Sequence, residues 1–146
     1  DAPSSITRLQ NMGTPNYLIS AALTLIMAQR LARKNCSECS VIDENVTPKL
    51  LNSIGFLPEQ SARAKIYKGK GCDQCGNSGY KGRMGIYEIL EIDKELKQGI
   101  LSDLSQTELN SIAKKNGFKT MQEMGHDLLL SGDLSFSEYE RVLQSN

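Results

Sequence analysis

The stretch Gly71-Cys72-Asp73-Gln74-Cys75-Gly76-Asn77-Ser78-Gly79-Tyr80-Lys81-Gly82-Arg83-Met84-Gly85-Ile86-Tyr87-Glu88 decides how this chain is read. It opens on two cysteines at C-x-x-C spacing and ends in a β-favouring run, Ile86 to Ile92, bounded by Gly85 and Asp93. Six of the seventeen residues from Gly69 to Gly85 are glycine, which is turn and knuckle composition. A second pair, Cys36-Ser37-Glu38-Cys39, precedes it, with 32 residues between the two pairs. Two thiolates at this spacing can chelate one metal from a single tight turn. Two such knuckles complete the tetrahedral four-sulfur set that zinc accepts in structural sites. The spacer exceeds the usual 15–20 residues or so, but the cost of closing a loop rises only logarithmically with its length. One structural Zn²⁺ on Cys36, Cys39, Cys72 and Cys75 is therefore expected. With all four positions taken by sulfur, none is left for a catalytic water. Two disulfides, a redox dithiol and four unconnected buried cysteines are the bland alternatives. The start of the chain has no basic or apolar leader, so disulfides of a secreted protein are not expected. A thioredoxin-like motif occurs once, not as two matched copies.

Upstream of the first pair, Ser4 or Ser5 can cap a helix from Ile6 to Met12, with Gly13 beyond its end. Thr14-Pro15 opens a second helix, Thr as cap and Pro in the first turn. Leu23 to Leu31 fits a helical stripe and a buried strand equally well, and period alone leaves both open. Between the pairs, Thr47-Pro48 opens a short helix that Gly55 ends. Downstream, Ser105…Glu108, Thr120…Glu123 and Ser135…Glu138 each have capping-box spacing, and Gly117 and Gly132 stand where helices should stop. The tail after Asp93 is expected to be a small helical bundle.

Seventeen basic and seventeen acidic residues cancel, so bulk attraction to DNA or an anionic membrane is not expected. The cancellation hides an asymmetry: residues 1–83 carry eleven Lys/Arg against six Asp/Glu, residues 84–146 six against eleven. Two modules meeting near residues 84–93 are implied. Arg33, Lys34, Lys70, Lys81 and Arg83 are placed to help hold four sulfurs deprotonated. The longest apolar run, Tyr17 to Ala28, is twelve residues, short of the roughly twenty a bilayer span needs. There is no G-x-x-x-x-G-K-[ST] to cradle nucleotide phosphates, and no G-x-S-x-G or H-E-x-x-H to suggest hydrolysis. His126, the one histidine, reads as a structural side chain inside a helix. The chain alone does not read as an enzyme, and a helix so close to Asp1 suggests a piece of something longer.

Several segments together resemble the C-terminal part of the type IV pilus assembly and type II secretion ATPases. The opening Asp1-Ala2-Pro3-Ser4-Ser5-Ile6-Thr7-Arg8-Leu9 with Asn11-Met12-Gly13 is similar to the stretch after that family's histidine box. Ala28-Gln29-Arg30-Leu31-Ala32-Arg33 before Cys36 resembles its entry to a metal-binding subdomain. Gly71-Cys72 through Glu88 resembles the exit, and Gly132, Ser135…Glu138 and Arg141-Val142 its closing pattern. The opening and Ala28-Gln29-Arg30-Leu31 lie closer to the pilus branch than to the secretion branch.

The resemblance implies an α+β fold: the C-terminal end of a RecA-like domain, with helices and an antiparallel strand pair, an inserted four-cysteine zinc module and a small C-terminal helical bundle. The implied boundaries are 1–35, 36–83, 84–92 and 93–146. Leu23 to Leu31 is then a strand, paired antiparallel with Met84 to Ile92. The implied parent is a hexameric motor at the cytoplasmic face of the inner membrane, peripheral to it, working with the platform protein of a pilus or secretion machine. Its ATP and Mg²⁺ sites lie upstream of Asp1, so this part has no catalytic or nucleotide-binding residue of its own. A reading from another class is a free-standing zinc ribbon that binds nucleic acid through Lys65, Lys68, Lys70, Lys81 and Arg83. Stacking partners for bases are then limited to Tyr67 and Tyr80. A chaperone-type zinc domain has a similar Gly-rich knuckle but repeats it, which this chain does not.

Overall fold

The computed structural model describes residues 1–144. The chain is α+β. In order it forms α1 (Ala2–Asn11), α2 (Asn16–Ala22), β1 (Leu25–Asn35), β2 (Ser40–Ile42), α3 (Pro48–Ser53), α4 (Pro58–Arg63), β3 (Tyr67–Gly69), β4 (Tyr80–Glu91), α5 (Lys94–Leu101), α6 (Gln106–Lys115), α7 (Met121–Ser131) and α8 (Phe136–Tyr139). A π-helical turn, Glu140–Gln144, continues α8. The long strands β1 and β4 pair with each other, and β2 pairs with β3. Ile92 N–H donates to the Thr24 carbonyl at 2.9 Å, and Cys36 N–H to the Gly79 carbonyl at 2.9 Å, so β1 and β4 run antiparallel. The strand alternative for residues 23–31 is the one realised. Both strands are longer than expected, because ladder bonds carry β4 through Gly82 and Gly85, residues whose composition reads as turn.

Contacts divide the chain into two units, 1–29 with 87–121, and 30–86 with 122–146. In the first, α2 packs on α5 and α1 on α6. Ala2, Ile6, Ile19, Leu90, Ile92, Leu96, Ile100, Leu109 and Ala113 form its buried core. Each large aliphatic side chain removed from water there contributes roughly 1.5–3 kcal/mol. The α1 cap is Asp1, whose carboxylate accepts Ser4 N–H at 2.6 Å, so the helix starts at Ala2, four residues before the expected Ile6. Pro15 stands just before α2 with extended backbone, its carbonyl accepting the first helical bonds from Leu18 and Ile19. Asp93 closes β4 and caps α5 by accepting Leu96 N–H at 2.8 Å. Ser105 and Glu108 form the expected reciprocal cap of α6.

The second unit holds the short sheet, in register Ser40↔Gly69, Val41↔Lys68 and Ile42↔Tyr67. Thr47 caps α3 through Leu50 N–H, with Pro48 in the first turn, as its sequence indicates. Pro58 likewise opens α4, where Gln60 Oε1 accepts Leu57 N–H at 3.1 Å. Leu51, Phe56, Ile66, Leu129, Leu134, Phe136 and Tyr139 are buried. His126 lies in α7 with its ring 4.5 Å from that of Phe56, and Nε2 is 3.2 Å from the Tyr139 hydroxyl. Of the helices after Asp93, α5 and α6 belong to the first unit, and the greater part of α7 with α8 to the second. The reason is where their apolar residues go: Leu96, Ile100 and Leu109 share one core with Ile6 and Ile19.

Candidate metal centre

Each cysteine pair sits on a tight 3₁₀ turn, Ser37–Cys39 and Asp73–Cys75. Backbone bonds bring the two turns together from both sides. Cys36 N–H donates to Gly79 O at 2.9 Å, and Lys70 N–H to Cys39 O at 3.1 Å, extending the β2–β3 ladder to the knuckles. The 32-residue excursion between them is thus closed at its neck.

The glycines of that neck have a steric reason. A Cβ on Gly69 would stand 2.0 Å from Gly79 O, and one on Gly79 would stand 2.4 Å from Gly69 O. Two backbones touch there, and only hydrogen fits between them. Gly79 also has φ +80°, a left-handed conformation that L side chains rarely adopt.

The four sulfurs converge. Cys36 and Cys72 Sγ are 3.8 Å apart, Cys39 and Cys75 3.9 Å, and Cys72 and Cys75 3.7 Å. All four lie within 4.8 Å of one another. A disulfide needs about 2.05 Å, so none is formed. With metal–sulfur bonds of about 2.3 Å, a regular tetrahedron has sulfur–sulfur edges of about 3.8 Å. The set could therefore hold one tetrahedral, thiophilic cation.

Cys36 and Cys39 are buried, while Cys72 and Cys75 are half-buried. Backbone N–H groups point at the sulfurs: Gly71 to Cys39, Cys72 to Cys75 and Gly79 to Cys75, each at 3.3 Å. Such donors orient thiolate ligands and stabilise their charge. Burial pushes the Cys39 thiol up to about 11, against the Gly71 N–H, with the neighbouring thiols adding to the rise. For Cys75 burial acts in the same direction, but the N–H groups of Cys72 and Gly79 outweigh it and hold the thiol down at about 6. Metal binding to such a set displaces the protons that its thiols still carry.

Two of the five cations read as counter-charges are committed elsewhere. Arg33 pairs with Glu138 at 2.8 Å, and Lys34 with Asp133 at 3.4 Å. The third capping-box carboxylate is likewise not a helix cap. Ser135 caps α8 through Glu138 N–H, but the Glu138 side chain is fully buried between two guanidiniums. Burial would raise its pKa, yet the hydrogen bonds from Arg141 and Arg33 hold it down at about 2. Arg33 also lies over the ring of Tyr80, 4.2 Å from the centroid. Among the basic residues of the zinc-ribbon alternative, Lys65, Lys70, Lys81 and Arg83 are exposed, and Lys68 pairs with Asp43 at 3.5 Å. Tyr80, one of the two aromatics that reading needs, stacks against Arg33 within the fold.

His126 is packed and has no second imidazole, cysteine or carboxylate converging on it in a metal-like group; among the described residues the four cysteines form the one such cluster. Among the described residues no helix is long and apolar enough to cross a membrane.

Comparison with known proteins adds lineage to this geometry. The family model described as type II/IV secretion system protein matches residues 1–141. A type IV pilus assembly ATPase, PilB, of Thermus thermophilus is 40% identical over 138 residues, covering 94% of this chain and 15% of that protein. The type IV pilus assembly ATPase TfpB of Acinetobacter baylyi is 40% identical over 98% of this chain and 24% of its own length. Type II secretion system protein E of Aeromonas hydrophila is 30% identical over 99% of this chain and 28% of its length. The chain therefore spans from about a seventh to just over a quarter of these relatives. With the family model matched from the first residue through Arg141, this chain belongs to the type II/IV secretion system protein family.

Proposed function

We propose that this chain is the C-terminal portion of a hexameric ATPase that powers type IV pilus assembly. It supplies a structural zinc site and contacts between subunits, not ATP hydrolysis. The observation that carries the pilus branch is 35–40% identity to pilus assembly ATPases, against 29–33% to type II secretion proteins. In this reading residues 1–35 end a RecA-like domain, 36–83 are the zinc module, 84–92 the returning strand and 93–146 the helical C-terminal part. ATP and Mg²⁺ belong to the parent protein, upstream of Asp1. Its partners are further copies of itself and the inner-membrane platform protein of the pilus machine, met at the cytoplasmic face without insertion into the bilayer.

Zn²⁺ is assigned to Cys36, Cys39, Cys72 and Cys75. Support comes from sulfur–sulfur distances of 3.7–3.9 Å and from N–H groups aimed at Cys39 and Cys75. Bound there, zinc cross-links two knuckles that few large apolar residues would otherwise hold. Structural zinc in small modules contributes an apparent ~10–16 kcal/mol at neutral pH.

Two measurements test the proposal. Metal analysis of the purified chain should give one zinc per chain, and Cys72→Ser should lower that content severalfold. A zinc-free wild type sinks the metal assignment. In the source bacterium, deleting the parent gene should abolish surface pili, restored by the wild-type gene and not by its Cys72→Ser form. Normal piliation with a secretion defect would move the chain to the secretion branch.

A further inference from the structure

Residues beside the cysteines send most of their polar contacts to one short segment, 132–138; an exception is the Asn35 amide, which also donates to Tyr67 O at 3.1 Å. Arg33, three residues before Cys36, donates from its backbone N–H to Glu138 Oε1 at 2.8 Å, and from Nε and Nη2 to Oε2 at 3.1 and 2.8 Å. Asn35, immediately before Cys36, donates its backbone N–H to Asp133 O at 2.8 Å and its side-chain amide to Gly132 O at 2.9 Å. Tyr80, five residues after Cys75, places its hydroxyl 3.0 Å from Ser135 Oγ, and its ring carries the Arg33 guanidinium. None of the hydrogen bonds just given ends on a sulfur. Arg33, Asn35 and Tyr80 are all held by the backbone that presents the sulfurs.

We propose that Arg33, Asn35 and Tyr80 couple metal occupancy at the four cysteines to the order of the C-terminal segment 132–143; the inference rests on the zinc reading above. The physical link is the price of leaving Glu138 half-paired. Its carboxylate is fully buried, and a buried charge is tolerated only while paired and hydrogen-bonded. Without metal, the neck closed by Cys36 N–H on Gly79 O loosens, and the positions of Arg33 and Tyr80 loosen with it. Glu138 then keeps Arg141 from its own helical turn but loses the three donors from Arg33. Leu134, Phe136, Tyr139 and Val142, buried around it, lose their anchor. Coupling is reciprocal, so disrupting the Glu138 end must weaken metal binding by the same factor. Glu138, Arg33 and Tyr80 are positioning residues for the site, acting through the backbone that presents the sulfurs.

The test is hydrogen exchange on the whole chain with zinc bound and after chelation, beside zinc-competition titrations of wild type, Glu138→Gln and Tyr80→Phe. Chelation should speed exchange at least tenfold across residues 134–143 and leave α5 and α6 unchanged. Glu138→Gln should weaken zinc about tenfold, within the range typical of site-to-site coupling. Tyr80→Phe, which removes only the hydroxyl, should weaken it by a smaller factor. Should Glu138→Gln fail to fold, the wild-type exchange comparison and Tyr80→Phe still decide. A wild type that binds zinc, with exchange over 134–143 indifferent to chelation, overturns this inference and leaves the zinc site standing. A wild type that takes up no zinc overturns both.

Discussion

The backbone N–H of Ala2 donates to the buried carboxylate of Glu88, 86 residues further along the chain. The other oxygen of that carboxylate accepts Met121 N–H at 2.9 Å. One strand side chain thus satisfies orphan donors at the start of two helices, α1 and α7, and negative charge there opposes the positive ends of both helix dipoles.

Glu88→Gln replaces one accepting oxygen by an NH₂ that faces a donor. The expected loss is about 1–3 kcal/mol, the cost of leaving a buried polar group unsatisfied. Glu91→Gln, on the exposed face of β4, should fall within about 0.5 kcal/mol of wild type. Urea unfolding of the three proteins checks this; equal midpoints for all three would show that Glu88 holds nothing.

His126 makes acid weaken the second unit. Burial lowers its pKa below the ordinary value of 6.5, against the opposing pulls of the Ile54 backbone, Glu123 and Asp127. A depressed folded-state pKa means that its contribution is full above about pH 6.5 and is lost as pH falls through the folded value. His126→Gln should therefore flatten the dependence of stability on pH between 7 and 5, relative to wild type. Parallel curves for the two proteins would contradict the assignment.

Gly79 and Gly82 share φ +80°, but only Gly79 faces backbone where a Cβ would go. Gly82→Ala should cost about 1 kcal/mol from conformation alone. Gly79→Ala adds an overlap with Gly69 O that forces the neck apart, for which overpacking costs suggest a further ~1–3 kcal/mol or more. Zinc content and affinity should fall for Gly79→Ala and stay unchanged for Gly82→Ala.

With no phosphate-cradling loop in this sequence, the isolated chain should show no magnesium-dependent ATP turnover. A steady-state assay with repurified protein is sufficient; turnover that co-elutes with the chain would refute the division of labour proposed here.

Leu25 and Met27 on β1 and Ile89 on β4 are about half exposed, on strands with no further neighbour in their sheet among the described residues. Such edges and apolar side chains seek partners. Light scattering should show concentration-dependent association of the isolated chain, and Met27→Lys with Ile89→Lys should reduce it. A monodisperse wild type at high concentration would argue otherwise.

By itself the sequence determined the parts whose physics is local. The doubled C-x-x-C names the four sulfurs that the fold brings together, because two thiols on one tight turn lie close whatever the rest of the chain does. The Thr47-Pro48 start and the Ser105…Glu108 cap follow from donors satisfied within one helical turn, and both are found. The extent of β4 through Gly82 and Gly85 was not legible, because ladder bonds from β1 override the turn preference of glycine. Tertiary structure alone decided what Glu138 does. Ser135…Glu138 has the spacing of a cap, yet the carboxylate goes to Arg33, 105 residues away, because a guanidinium pair outweighs one backbone N–H. The need for glycine at both 69 and 79, and the convergence of Arg33, Asn35 and Tyr80 on residues 132–138, were equally beyond sequence. Each is a meeting of segments far apart in the chain, and such meetings exist only once the backbone has closed.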